Sequence, residues 1–589
     1  MTILAGAFSR HAGVSLPNGL CDALPRAISR HPCDQVTVFR DERCLLAKVD
    51  IGAYGEPAFR KNALGSVVVL AGEPLLSPGY DSASRSRTED LHRLHDAWDR
   101  EDWSSLAWAQ GVFCAAHYSP TAGCVTLLTD KLGVRPIYFW TDARYMVFAS
   151  ALRILEAVRE VPKEMSLIAV TELATLGFPL GDRTPYAGIR VLHAGEVVQI
   201  AGANETHTRY WRWDGLGETR LSEPELLSAA AQRFSTAIAR RLRRDTATIA
   251  FLTGGLDSRS VVACLRERGA VVHTVHFARL RRTQDQMFAE LFAERARTIH
   301  RDMRLDPVPE SQLTALGATA WDVPPESLEQ RPERPRLVWS GDGGSVSLGH
   351  VYMSRAISEE MRAGRRDAAI ATFLREQGTR VIHRLLNPGV AASLRRLPAE
   401  GIAAELDSIH CTDPARTFHL FLMLNDQRRH FASHFEDIDL HRLEFHVPFF
   451  DGGFLELILA APVDLCLCHH LYGKWLSHLP AMVTAVPWQT YPGHEPCPLP
   501  APPNLRYQWD QESLRTLTRL RRESYLRKAR EILDARDFPS AILRKDRCRL
   551  VYWLMRARLR DYGYAIKFAD VYYRHWARSG GTFSLLPAQ

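Results

Sequence analysis

The stretch Phe251-Leu252-Thr253-Gly254-Gly255-Leu256-Asp257-Ser258-Arg259 constrains the fold more than any other part of this chain. The apolar run Thr248-Ile249-Ala250-Phe251-Leu252 predicts a short buried strand, and Val261-Val262-Ala263-Cys264-Leu265 opens an amphipathic helix. A polar, glycine-rich turn between strand and helix forms a phosphate cradle. Its glycines let the backbone come close, and the unpaired N–H groups of a helix start point at an anion. The turn lacks the Gly-Lys-Ser/Thr ending of a Walker A loop. Taken alone, it also fits an ordinary Gly-Gly turn of an α/β domain.

With 589 residues the chain exceeds a single core, so two domains and a helical appendage are expected. Apolar content of 46% and charged content of 24% fit a soluble globular protein. No apolar run reaches membrane-spanning length, and Met1-Thr2-Ile3-Leu4-Ala5-Gly6 lacks the basic and long apolar regions of a signal peptide. Eleven scattered cysteines, an odd number, point to reduced thiols and a cytoplasmic location. Cys466-Leu467-Cys468 beside His469-His470 has a single residue between its thiols and no second Cys pair at finger spacing, so no structural metal is expected there.

Charge is uneven. Residues 501–589 hold 19 Lys/Arg against 9 Asp/Glu, a net +10 in a chain of net +7, which leaves the rest near −3. This tail is basic and aromatic, with Arg527, Lys528, Arg530, Arg556, Arg558, Arg560, Trp553, Tyr562, Tyr564, Tyr572, Tyr573 and Trp576. No nucleic-acid recognition motif accompanies it, so nucleic acid is not an expected partner. Helices docked on the body with an arginine-rich outer face are expected instead.

Before the glycine-rich turn the texture is strand-like. Val36–Phe39, Cys44–Ala47, Ser66–Leu70, Gly111–Ala116, Cys124–Asp130, Tyr138–Trp140 and Met146–Ser150 are short apolar or alternating runs between turns. Val197–Ile200 and Thr208–Trp211 suggest a closing hairpin. From Leu226 the period becomes helical, with Leu226, Ala230, Phe234, Ala237, Ile238 and Leu242 on one stripe. Strand Val271–Phe277 and helix Gln286–Ala293 follow, the alternation of a parallel sheet with covering helices. A helical stretch runs from about 360 to 435, and Pro498 to Pro503 is expected to join the core to the basic helices.

In this order the motifs resemble the asparagine synthetase family, including its β-lactam synthetase and lasso peptide cyclase branches, over roughly residues 1–495. Asp130-Lys131-Leu132-Gly133-Val134-Arg135-Pro136-Ile137-Tyr138 resembles the family's Arg-Asp-x-x-Gly-x-x-Pro-Leu-Tyr, and Phe148-Ala149-Ser150-Ala151-Leu152 its Phe-Ala-Ser-Glu hairpin. The glycine-rich turn resembles the family's pyrophosphate loop, Ser-Gly-Gly-x-Asp-Ser. Ser340-Gly341-Asp342-Gly343-Gly344-Ser345 resembles the second ATP-side loop, with Asp342 at a glutamate position and Ser345 at that of a metal-binding aspartate. Leu443-Glu444-Phe445-His446-Val447-Pro448-Phe449-Phe450-Asp451 resembles Glu-x-Arg-x-Pro-Phe-Leu-Asp, with His446 for arginine. Tyr472-Gly473-Lys474-Trp475-Leu476 resembles the segment that brings a lysine to the reaction centre. A glutamine-hydrolysing member begins Met-Cys-Gly-Ile; Thr2 and Ile3 stand here, and no Arg-Gly-Pro-Asp or Asn-Gly-Glu-Ile-Tyr segment follows.

The resemblance implies an α/β protein of three parts. Residues 1–213 would be an Ntn-hydrolase-like layered α/β domain, inactive as a glutaminase. Residues 214–500 would be an ATP-pyrophosphatase-type α/β synthetase domain, and residues 501–589 a basic helical extension. The implied chemistry is carboxylate activation by ATP with Mg²⁺, release of pyrophosphate, and amine attack with loss of AMP. Thr253, Gly254, Gly255, Asp257, Ser258, Ser340 and Gly341 would hold ATP, and Asp257 the metal. Lys474, Asp342 and Glu444 would serve the reaction, with Asp426 and Glu436 as candidate bases. The leading expectation is a lasso peptide cyclase acting on a leader-cleaved precursor core peptide, with a leader peptidase or leader-binding protein as further partner. Another amide ligase, making a β-lactam, an asparagine-like amide or an amide in a polymer, is the alternative. A non-catalytic interaction protein on the same fold is a third reading.

Overall fold

The computed structural model describes residues 2–32, 34–76, 86–278, 282–304, 337–441, 443–507 and 511–585. The N-terminal part stacks two six-stranded antiparallel sheets. One has the order Arg190–Val191, Tyr138–Thr141, Tyr145–Ala149, Thr2–Ser9, Cys44–Asp50, Val36–Arg40. The other has the order Asn204–Arg209, Glu196–Ala201, Cys124–Thr129, Phe113–Ser119, Val67–Gly72, Phe59–Lys61. Leu4, Phe8, Val69, Leu127, Phe148 and Ile200 fill the space between them. Helices Asn18–Ala27 and Leu152–Ala157 cover the first sheet through Leu20, Leu24, Ile154 and Leu155. Helix Arg87–Arg100 covers the second through Leu91, Leu94 and Trp98. The result is a four-layer α/β/β/α domain.

Two features differ from the sequence pattern. Thr2–Ser9 is a strand inside its sheet, paired on both edges and buried at all eight residues. A strand covered on both faces has no apolar–polar alternation, so periodicity does not mark it. In the last hairpin Ala201 pairs with Asn204, so the second strand is Asn204–Arg209 and begins earlier than Thr208. Gly202, at φ +59°, permits this two-residue turn.

The second part is built on a five-stranded, wholly parallel sheet. Its order is Ile299–Arg304, Val271–Ala278, Ala247–Phe251, Leu337–Trp339, Glu444–His446. Helix Glu223–Leu242 starts with a capping box between Ser222 and Glu225, and its stripe from Leu226 to Leu242 is buried. The helix after the glycine-rich turn is Leu256–Glu267, so it begins five residues before Val261. Asp257 and Ser258 therefore belong to its first turn. A set of short helices follows between Arg355 and Glu436.

The segment that follows Pro498–Pro503 is tied to the start of helix Gln284–Ala296 before it leads to the C-terminal helices. Gln284 N donates to Arg506 O at 2.8 Å, and Arg506 N to Arg282 O at 3.1 Å. Helices Gln511–Asp534, Lys545–Arg556 and Gly563–Arg578 follow. The last packs Phe568 and Tyr572 on Leu167 and Val170 of the N-terminal domain. The Tyr572 and Thr171 hydroxyls meet at 2.6 Å, and Phe583–Ser584 pairs with Met165–Ser166. The basic extension is thus docked on the first domain. Among the described residues no single helix is long and apolar enough to cross a membrane.

Candidate functional site

Because all five strands of the second sheet run parallel, the loops after Ala247–Phe251 and Leu337–Trp339 leave the same sheet edge side by side. These are the glycine-rich turn and Ser340-Gly341-Asp342-Gly343-Gly344-Ser345. They touch backbone to backbone: a Cβ on Gly341 would lie 2.4 Å from Ser258 N. A Cβ on Gly254 would lie 2.6 Å from Asp285 O. Thr253 N donates to Ser258 Oγ at 2.9 Å, which closes the turn onto the helix start. Thr253, Gly254, Gly255, Asp257, Ser258, Ser340, Gly341 and Asp342 thereby stand together at one helix N-terminus.

Asp257 is closely held. Its Oδ1 accepts from Ser345 Oγ at 2.9 Å and Tyr472 OH at 2.6 Å, and its Oδ2 from Ser345 N at 3.0 Å. Burial pushes its carboxyl up to about 6 and the charge of Asp342 adds to this, against the lowering effect of the three donors. Asp342 in turn accepts from Ser340 Oγ. A further acid enters from outside both motifs: Asp285 Oδ1 accepts from Gly254 N at 3.0 Å. Asp285 Oδ2 also lies 3.0 Å from His276 Nε2, and the other ring nitrogen lies 2.6 Å from Asp302 Oδ1. Burial opposes a charge on His276, but the two carboxylates outweigh it and raise the imidazole to about 9.

Arg259 secures the loop from below. It is fully buried and donates to the carbonyls of Gly255, Val483, Val486 and Pro487. Gln489 N donates to Gly254 O at 2.9 Å, so the segment Pro487–Pro498 lies directly against the cradle. Its Tyr491 stacks on His469 with ring centroids 5.5 Å apart, and His469 also stacks on Tyr472. His494 closes the row, 4.6 Å from His469. Cys468 and His469 both have left-handed backbones, at φ 56° and 64°, a strain characteristic of functional sites. Burial holds His469 at about 3, so the ring is neutral.

The structure separates the remaining sequence-derived candidates. Asp426 lies in a π-helical turn, Met423–Gln427, which packs on Gly344–Ser347 at the end of the second loop, and its carboxylate accepts from Gln427 Nε2 at 3.0 Å. Glu436 is turned to the first domain, accepting from Tyr138 OH at 2.6 Å and Leu152 N at 3.0 Å. Glu444 is fully buried and ion-paired with Arg135 of the first domain. Lys474 stands at the surface, 2.5 Å from Glu223, because two residues along a helix from Tyr472 is the opposite face. Lys474, Glu436 and Glu444, expected at the reaction centre, pair elsewhere in this structure. Asp285 and His276 lie outside every quoted motif, and Tyr472 and Arg259 lie within motifs that gave them no role. Asp285 is 31 residues from Gly254, and no local spacing links them.

The first domain's own motif is a turn organiser. Asp130 accepts backbone N–H bonds from Phe113, Leu132, Val134 and Arg135, fixing the chain around Gly133. Thr2, fully buried, donates to Asp50 Oδ2 and accepts from Arg87 Nη2, both at 3.0 Å.

The fold and site thus define a two-domain protein, a layered amidotransferase-like domain followed by an α/β domain with a phosphate cradle. A family profile for a glutamine amidotransferase domain matches residues 72–211, and one for asparagine synthase matches residues 229–314. A protein provisionally named asparagine synthetase (glutamine-hydrolyzing) 2 of Methanocaldococcus jannaschii is 27% identical over 161 residues, 27% of this chain and 31% of that protein. Asparagine synthetase (glutamine-hydrolyzing) 3 of Bacillus subtilis is 23% identical over 209 residues, 34% of this chain and 33% of that one. Carboxyethyl-arginine beta-lactam-synthase of Streptomyces clavuligerus is 26% identical over 274 residues, 43% of this chain and 49% of that one. The chain therefore spans a third or less of the first two relatives and about half of the third. The first part of the chain is thus similar to a glutamine amidotransferase domain and the second to an asparagine synthase domain, in that order.

Proposed function

We propose that this chain is an ATP-dependent amide-forming ligase that joins a carboxylate to an amine carried by its own substrate. The observation that carries the reading is the contact of the two glycine-rich loops, which sets Asp257 and Asp342 beside one helix N-terminus. ATP would supply the adenyl group that activates the carboxylate. Thr253, Gly254, Gly255, Ser258, Ser340 and Gly341 bind its phosphates. Two neighbouring carboxylates suit an oxygen-preferring cation, so Asp257 and Asp342 hold Mg²⁺. Asp426, on the turn that packs on Gly344–Ser347, would take the proton of the attacking amine. The buried, doubly bonded Thr2 hydroxyl supports an amine that does not come from glutamine.

The β-lactam-synthase relative supports ring closure within one small molecule. A narrower form of the same chemistry is lasso peptide cyclisation, joining a core peptide's N-terminal amine to an Asp or Glu side chain. In that form a leader peptidase or leader-binding protein is the partner. Incubating the chain with ATP, Mg²⁺ and candidate substrates, with mass spectrometry of the products, tests both forms. Loss of one water with AMP and pyrophosphate release supports ligation, and the substrate that reacts chooses the form. Thr2→Ala is expected to ligate like wild type; glutamate release from glutamine that Thr2→Ala loses would overturn the view of the amine.

A further inference from the structure

Outside this site, the first domain gathers three metal-capable side chains. His95 and Asp99 lie one turn apart on helix Arg87–Arg100 and so share a face. His117 comes from strand Phe113–Ser119 of the sheet beneath. One donor atom from each of His95, Asp99 and His117 lies within 4.8 Å of the others. Both imidazoles are buried, and the carboxylate opens to solvent.

The hydrogen bonding around the two rings is incomplete. Ser66 Oγ lies 2.8 Å from His95 Nε2 and 2.8 Å from His117 Nε2. A hydroxyl has a single proton, so it donates to one ring and accepts from the other. The first ring then keeps a proton on Nδ1 and the second a lone pair there. Both Nδ1 atoms are buried without a partner. Trp98 stacks on His117 at 5.0 Å and 11°, which fixes that ring.

We infer that His95, Asp99 and His117 form a binding site for a borderline divalent transition metal such as zinc. Two imidazoles and one carboxylate are the donors of such ions, whereas Mg²⁺ and Ca²⁺ require oxygen. Metal–donor bonds of about 2.0–2.2 Å need the three donors somewhat closer than their present spacing. Rotation of the exposed Asp99 side chain and a small movement of the His95 ring would supply that closure. The metal would staple helix Arg87–Arg100 to the sheet. The first residue of that helix, Arg87, is fully buried and donates to Thr2, Asp50 and the carbonyls of Glu56 and Gly72. A staple at its last turn therefore steadies the centre of the first domain. This is independent of the ligase reading.

The test uses the full chain, freed of metal with a chelator and titrated with Co²⁺ and then Zn²⁺. One equivalent of Co²⁺ is expected to give visible d–d bands that Zn²⁺ abolishes, and Zn²⁺ is expected to raise Tm. His117→Gln is expected to lose the bands. Asp99→Asn, an exposed change that leaves the fold intact, is expected to weaken affinity at least about tenfold. No bands in the wild type would overturn the inference. So would affinities in Asp99→Asn and His117→Gln equal to that of the wild type, or a Tm rise with Zn²⁺ that persists undiminished in His117→Gln.

Discussion

Asp257 and Lys474 both sit in sequence motifs, but their surroundings differ completely. Asp257 is enclosed by Ser345, Tyr472 and Asp342, whereas Lys474 meets Glu223 at the surface. Asp257→Ala is expected to abolish pyrophosphate release; unchanged ATP consumption would remove Asp257 from the chemistry. Its pH behaviour is a second check. The folded-state value near 6 lies above the ~3.9 of an unfolded chain, so the fold favours the protonated acid. Stability from this group is complete below about pH 4 and is lost as pH rises through about 6. Without Mg²⁺, Asp257→Asn is therefore expected to melt above wild type at pH 7, with the gap closing by about pH 4. Parallel melting profiles across that window would contradict this. Lys474→Ala is expected to change stability by less than ~1 kcal/mol, as an exposed pair does, and to turn over within about twofold of wild type. A large loss in single-turnover product formation would restore the lysine to the reaction centre.

At the scale of elements, the cradle depends on a segment far along the chain. Arg259, on the helix that starts at the cradle, gathers the carbonyls of Val483, Val486 and Pro487 and so holds that segment against Gly254. Removing the guanidinium leaves these acceptors without partners in a dry place. Arg259→Met is expected to cost on the order of 3 kcal/mol and to speed hydrogen exchange in residues 483–490. Unchanged protection there would show that the segment is held by its other contacts. Element types were legible where one face meets water. The helix Glu223–Leu242 shows its stripe. Thr2–Ser9 was not, because an element buried on all sides has no periodic contrast.

For the whole molecule, the decisive interface lies between the two domains. Arg135 and Glu444 form a buried ion pair across it, and Glu436 reaches Tyr138 and Leu152 from the second domain. A buried pair is costly to break from one side. Arg135→Met alone is expected to lower stability by about 3–5 kcal/mol, and adding Glu444→Leu is expected to recover a large part of it. Denaturant titration of the two variants measures both; a double variant no more stable than the single would show that Glu444 has other partners. The docked C-terminal helices extend this assembly by covering Leu167 and Val170 of the first domain.

The sequence by itself determined the strand–turn–helix cradle, the second glycine-rich loop and the order of the domains. Glycine spacing, helix starts and hydrophobic period act over a few residues, and such short-range rules are written directly into the chain. Only the tertiary structure decided which charged residues reach the cradle. Glu436 and Glu444 differ from Asp426 by the direction their elements face after packing, and Lys474 differs from Tyr472 by a half-turn of one helix. Asp285 with His276, and the His95–Ser66–His117 group, arise from pairings across strands and helices. A charge or ring nitrogen takes its role from what surrounds it in three dimensions, and that is set by packing between elements distant in the chain.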